Sequence, residues 1–351
     1  MTTSNSEGSL AIVVDQVTRR YGALTALDDV SFAVPKRSIF GLVGANGAGK
    51  TTLFSIIAGF LRPTEGRVQV LGHDSRDVRP LLGRLSTLPQ DAQFQRNVPL
   101  FEQLVFFRLL QGASRAQARE DVHEVLNAVG LAQYGDRGVQ VLSHGMNKRL
   151  GVAQAFLGRP EVILLDEPTA GLDPKNAKGV RDLIVELTAG EATVVISSHN
   201  LRELEEICDH VAIMHKGVLR DYAAMRDITR AGSFVSLELS RDLSAEETSR
   251  VAEMPGVAKL EVDRRGRITL EFEDTDSDPT LAKVLRELLD CGAIPHSLKR
   301  GNRLEDYFLD LTEGEGASDD APAASAPSAA APSSSESPGT NGSPGATESS
   351  N

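Results

Sequence analysis

The stretch Ile39-Phe40-Gly41-Leu42-Val43-Gly44-Ala45-Asn46-Gly47-Ala48-Gly49-Lys50-Thr51-Thr52 decides the fold. Its first five residues read as a buried strand, and the next nine fit GxxxxGK[ST] between that strand and a helix, as the motif requires. Glycines let successive backbone N–H groups curl around a phosphate, and a helix starting near Lys50 adds a favourable partial charge. Lys50 is expected to bridge the β- and γ-phosphates of a bound nucleotide, and the Thr51 hydroxyl to ligate Mg²⁺. Gly44, Asn46, Gly47, Ala48, Gly49 and Thr52 complete the expected cradle.

Outward from this loop, short β-branched runs at residues 11–14, 162–165 and 194–197 alternate with amphipathic stretches. Strand then helix, repeated, predicts a mostly parallel sheet covered by helices. The run Val162-Ile163-Leu164-Leu165 ends in Asp166-Glu167 and so delivers two acids to the edge where such sheets bind ligands. Asp166 can hold the Mg²⁺ hydration shell, and Glu167 can orient or deprotonate a water for in-line attack on the γ-phosphorus. An acidic loop after a strand is the plainer alternative.

Residues 94–159 break the rhythm with helical patterns at Leu100–Leu110, 117–129 and 147–157, and read as an all-helical insertion. Leu100–Leu110 is apolar nearly all round, so it is either deeply buried or covered by a partner. Beyond residue 227 the order is strand Phe234–Leu239, helix 245–254, strands Val257–Val262 and Ile268–Phe272, helix 281–289 and a weak strand 293–298. That βαββαβ order is ferredoxin-like, with Arg264-Arg265-Gly266 as the central hairpin turn.

The 351 residues are 40% apolar and 25% charged, enough for one large domain and a smaller one. No run is long enough to span a bilayer, and the start MTTSNSEGSL has no signal core, so a cytoplasmic protein is expected. Cys208 and Cys291 show neither a disulfide framework nor zinc spacing. A net charge of −12 argues against nucleic-acid binding as the main activity. Six acids and no bases after residue 312 supply half of that charge. The expected division is a flexible start at 1–9, a phosphate-loop α/β domain at 10–226, a ferredoxin-like domain at 227–312 and a disordered tail at 313–351.

Leu142-Ser143-His144-Gly145-Met146, about twenty residues ahead of Asp166, narrows the field: it resembles the signature loop of ABC ATPases. The remaining pieces stand in that family's order over residues 10–224. Tyr21 precedes the first motif, Gln90 sits in Leu88-Pro89-Gln90, Gly171-Leu172-Asp173 follows Glu167, and His199 closes Ser197-Ser198-His199. The resemblance implies a P-loop NTPase core with a helical subdomain and the following roles. Tyr21 stacks on adenine, worth about 1 kcal/mol, although alone it reads as a strand-edge aromatic. Gln90 touches Mg²⁺ and the attacking water. His199 bonds the γ-phosphate, and Asp173 joins the nucleotide contacts.

Ser143 and Gly145, placed before a helix, face the γ-phosphate held by an opposite subunit, so two chains sandwich two ATPs, a homodimer being the expected form. The chain departs from the commonest pattern at His144, Met146 and Ala45. The first two, with Leu304-Glu305-Asp306-Tyr307-Phe308-Leu309, are similar to an exporter branch whose membrane domains are separate chains. A separate transmembrane permease of about six spans is the implied partner, and this chain is expected to sit peripherally on the inner face of the cell membrane. The rival classes are a non-transport ABC protein, which usually carries two cassettes, and a regulatory module lacking Glu167 or Lys50. The cargo is not encoded here.

Overall fold

The computed structural model describes residues 9–229, 234–262, 266–272, 278–300 and 304–313. The predicted flexible start before residue 9, the Arg264-Arg265 turn and the predicted disordered tail from residue 314 lie outside them. In chain order the first elements are β1 (Leu10–Tyr21), β2 (Leu24–Pro35), β3 (Ile39–Val43), α1 (Lys50–Ile57), β4 (Glu65–Val70), β5 (His73–Asp74) and β6 (Leu85–Leu88). Next come α2 (Leu100–Leu110), α3 (Arg115–Ala128), α4 (His144–Phe156), β7 (Val162–Asp166), α5 (Pro174–Thr188) and β8 (Thr193–Ser198). They are followed by α6 (Leu201–Ile207), β9 (His210–His215), β10 (Val218–Ala224) and α7 (Met225–Thr229).

The central sheet runs β10-β9-β3-β8-β7-β6, parallel except for the edge strand β10. Every residue of β3 and β7 is buried, because a parallel strand covered on both faces has no solvent side. Alternate side chains therefore enter two cores. Ile39, Val43, Ile163 and Leu165 pack with the helices α2 to α5, while Phe40, Leu42, Val162 and Leu164 pack with α1 and a second sheet.

That second sheet, β2-β1-β4-β5, is antiparallel and was only partly foreseen: residues 11–14 belong to a twelve-residue strand. Its pairing shifts register between Val14 and Val17 and again near Arg19, and Gln16 and Asp29 take positive φ. Such bulges break the alternation that marks a strand in sequence. Helices α3 and α4 start earlier than their apolar patterns, because polar caps set their ends: Ser114 and Gln117 form a capping box, and Ser143 caps α4. Helix α2 resolves its two readings by halves: Leu100, Phe101, Leu104 and Val105 are buried, whereas Phe106 and Leu110 are exposed.

Residues 234–300 hold β11 (Phe234–Leu239), α8 (Ala245–Ala252), β12 (Val257–Val262), β13 (Ile268–Phe272), α9 (Asp278–Asp290) and β14 (Pro295–Arg300). Their antiparallel order β12-β13-β11-β14 is ferredoxin-like. Val235, Leu237, Ile268, Leu270, Val284 and Leu288 form a core of their own.

The helix carrying the Leu304 to Leu309 motif, α10 (Leu304–Glu313), ends the stretch 227–312 read as the second domain and packs against α6 and α7. Leu304, Tyr307, Phe308 and Leu311 pack into the ATPase core beside α6 and α7, which also bury Leu204, Met225 and Ile228 there. Tyr307 donates its hydroxyl to Asp221, and Arg202 pairs with Glu305. Among the described residues no helix is long and apolar enough to cross a membrane.

Candidate nucleotide site

Strand β3 delivers its glycine loop to the C-terminal edge of the sheet, and α1 begins at Lys50. Gly49 caps that helix at φ 99°, and a Cβ there would lie 2.7 Å from the Ala26 carbonyl oxygen, so only glycine lets the loop close onto β2. Lys50 is buried, with its ammonium donating to the carbonyls of Gly44 at 2.7 Å and Ala45 at 3.3 Å. Burial holds its pKa below the ordinary lysine value, and the nearby Glu167 and Asp166 carboxylates pull it back up.

Both acids are buried at the end of β7. Asp166 accepts the Ser197 hydroxyl proton in a hydrogen bond, and the Glu167 N–H donates to Ser197 Oγ at 3.0 Å. Glu167 has φ 50°, the left-handed region that a non-glycine residue occupies at a cost. Its carboxylate lies between Lys50 Nζ at 3.8 Å and His199 Nδ1 at 2.8 Å. Lys50, Asp166, Glu167 and His199, predicted from three separate stretches, thus form one cluster. Thr51 and Thr52 open α1 next to it.

The signature residues lie on another helix end. Ser143 accepts the Met146 N–H at 3.3 Å as the cap of α4. Gly145, expected before the helix, lies inside its first turn; it is glycine because a Cβ would press on the Asn176 side chain at 3.2 Å. Asp173 caps α5 by accepting the Lys175 and Asn176 N–H groups, so the starts of α4 and α5 sit side by side. The hydrogen bond from the Asn176 side chain holds the Asp173 carboxyl below the usual carboxylate range.

Gln90 is exposed on a cleft of about 620 Å³ that Asp166, His144 and Lys148 also line. Lys148, which no motif had marked, reaches to 3.5 Å from the Gln90 carbonyl. Its pKa is lowered by burial and raised in part by Asp91 and Glu167. Tyr21 is placed elsewhere, 45% exposed at the end of β1, with the Arg19 guanidinium 4.4 Å from its ring centre. Ser197 was also missed: a serine among strand residues carries no sequence signal of its own. Cys208 and Cys291 are free.

For ATP and Mg²⁺ the donors fit: a buried ammonium and a helix N-terminus for phosphate, and the Asp166 carboxylate beside them for a hard cation. Fold and cluster together define a P-loop ATPase. The ABC transporter family matches residues 27–170. The daunorubicin resistance ATP-binding protein DrrA3 of Streptomyces coeruleorubidus is 33% identical over 86% of this chain and 96% of its own length. The bacitracin transport ATP-binding protein BcrA of Bacillus licheniformis is 36% identical over 60% of this chain and 69% of its own. The ADP conformation of MJ1267, an ATP-binding cassette of an ABC transporter, superposes with a TM-score of 0.56 at 26% identity over 62% of this chain and 94% of that one. This chain belongs to the ATP-binding subunits of ABC transporters, in their exporter-type branch, and is an ATPase.

Proposed function

We propose that this chain drives an exporter by closing head to tail with a second, identical ATPase subunit around two ATP·Mg²⁺ and pulling on a separate transmembrane permease at the inner face of the cell membrane. In this reading the Gly44 to Thr52 loop binds the phosphates, with Lys50 exchanging its two carbonyl partners for β- and γ-phosphate oxygens. Thr51, Asp166 and Gln90 would hold Mg²⁺, which would supply charge neutralisation for phosphoryl transfer. Glu167 orients and deprotonates the attacking water, and His199 fixes the carboxylate through Oε2. Tyr21 stacks on the adenine, and Asp173 lies at the dimer seam.

One observation carries the dimer: Ser143 and the N-terminus of α4 form an exposed anion-ready helix end on a different element from the loop that binds phosphate. A second chain completes each site. The permease reading is supported by the exposed apolar side chains Phe106 and Leu110 on α2 and Leu82 near it. Export is supported by relatives whose names speak of drug resistance.

The test is affinity capture of the tagged protein and its Glu167→Gln form from gently solubilised membranes, with ATPase assays on both. Co-capture of a polytopic membrane protein with Glu167-dependent hydrolysis is the expected result. Capture of ribosomes or soluble proteins alone would reassign the chain to the non-transport ABC class.

A further inference from the structure

The two acids at the end of β7 are not held by their own strand. Strand β8 pairs with β7 in parallel, Asp166 opposite Ser197, which puts the Ser197 side chain at the branch point between them. Ser197 is fully buried, and its hydroxyl is used in both directions. It donates to Asp166 Oδ1 and accepts the Glu167 N–H at 3.0 Å, while the Ser197 carbonyl accepts the same N–H at 3.2 Å. Glu167 therefore has its backbone gripped twice by one residue, at the point where its φ of 50° departs from the strand.

From this geometry we infer that Ser197 is a positioning residue for hydrolysis: its hydroxyl locks the metal-side carboxylate of Asp166 and the backbone of Glu167 into one rigid pair. The inference rests on the roles given above to Asp166 and Glu167. A left-handed non-glycine backbone persists only where surrounding contacts over-determine it. Ser197 supplies that contact. By donating to Oδ1 of Asp166, which also lines the cleft, the fully buried Ser197 leaves Oδ2 as the carboxylate oxygen it does not hold. The consequence falls on geometry at the reacting centre, where a displacement of about 1 Å can cost about 10²-fold in rate.

The test compares Ser197→Ala, Ser197→Thr and Glu167→Gln in the full-length protein, by steady-state ATPase kinetics, equilibrium binding of a fluorescent ATP analogue and thermal unfolding. Ser197→Ala is expected to lower kcat about 10- to 100-fold with KM and analogue affinity held within about 3-fold. Ser197→Thr, which keeps the hydroxyl, is expected to recover most of the rate. A Ser197→Ala protein with wild-type kcat overturns the inference. So does one that loses kcat and analogue affinity together with its melting temperature, since that pattern is general destabilisation. If the threonine variant fails to recover while its melting temperature is unchanged, the hydroxyl is not the operative group. The outcomes separate cleanly from the underlying reading: wild-type turnover in Glu167→Gln would remove the role of Glu167 itself, whereas an inactive Glu167→Gln beside an active Ser197→Ala would remove only that of Ser197.

Discussion

At the edge of the parallel sheet, Lys50, Asp166, Glu167 and Ser197 are all buried and all bonded to one another or to the loop around them. On the antiparallel sheet of residues 234–300, the polar residues Ser236, Glu238, Thr269 and Glu271 alternate with the buried Val235, Leu237, Leu270 and Phe272 and lie on the side away from its core. There an ion pair such as Arg267 with Glu238 is half exposed and screened by water. The lesson is that the two regions place chemistry and stability on different residues. A buried polar atom that loses its partner suffers an uncompensated desolvation penalty, so the parallel edge tolerates almost no exchange. The antiparallel sheet depends on its apolar face alone.

The largest expected break in this contrast is Glu167→Gln, which keeps the shape but turns one acceptor oxygen into an NH2 donor and removes the base. Phosphate release is expected to fall about 10²- to 10⁴-fold with nucleotide binding intact, and unchanged release would erase the distinction. Lys50→Ala comes next. It leaves two buried carboxylates without their ammonium neighbour, and equilibrium titration is expected to show ATP binding weakened about 10- to 100-fold. Leu270→Ala sharpens the other side: a fully buried side chain in β13 is lost, at about 2–5 kcal/mol in chemical denaturation, with kcat unaltered. A fall in kcat would mean that the two regions are coupled.

The smallest effect belongs to Tyr307. Burial and its hydrogen bond to Asp221 push its phenol up to about 12 from an ordinary 10. The folded value is the raised one, so the stabilisation is complete below pH 10 and is lost as pH rises through 12. Difference absorbance of tyrosinate between the wild type and Tyr307→Phe checks it, and a phenol titrating at pH 10 would count against docking of α10.

What was legible in sequence follows the same division. The loop at Gly44 to Thr52 and the acids at Asp166-Glu167 were readable because phosphate chemistry demands fixed residue types at fixed spacing. The ferredoxin-like strands Phe234–Leu239 and Ile268–Phe272 were readable because a sheet with one wet face prints its period on the chain. The antiparallel sheet β2-β1-β4-β5 was largely hidden because bulges at residues 14–19 erase that period. Ser197 was hidden because its importance lies in what β7 places beside it. The docking of α10 was hidden because amphipathicity says that a helix has a partner without saying which.

That docking has a mechanical consequence. The chain leaves the ATPase core after α7 and returns to it at α10, and those two helices lie against each other. The ferredoxin-like unit is thus hung from two adjacent anchor points rather than strung on the end of the polypeptide. Helix α10 is in turn tied to α6, the helix that follows His199, through the Leu304 N–H on Glu205 and the Arg202 pair with Glu305. Because residues 234–300 carry their own core, a truncation that also removes α10 is the one that would uncover apolar surface on the ATPase itself.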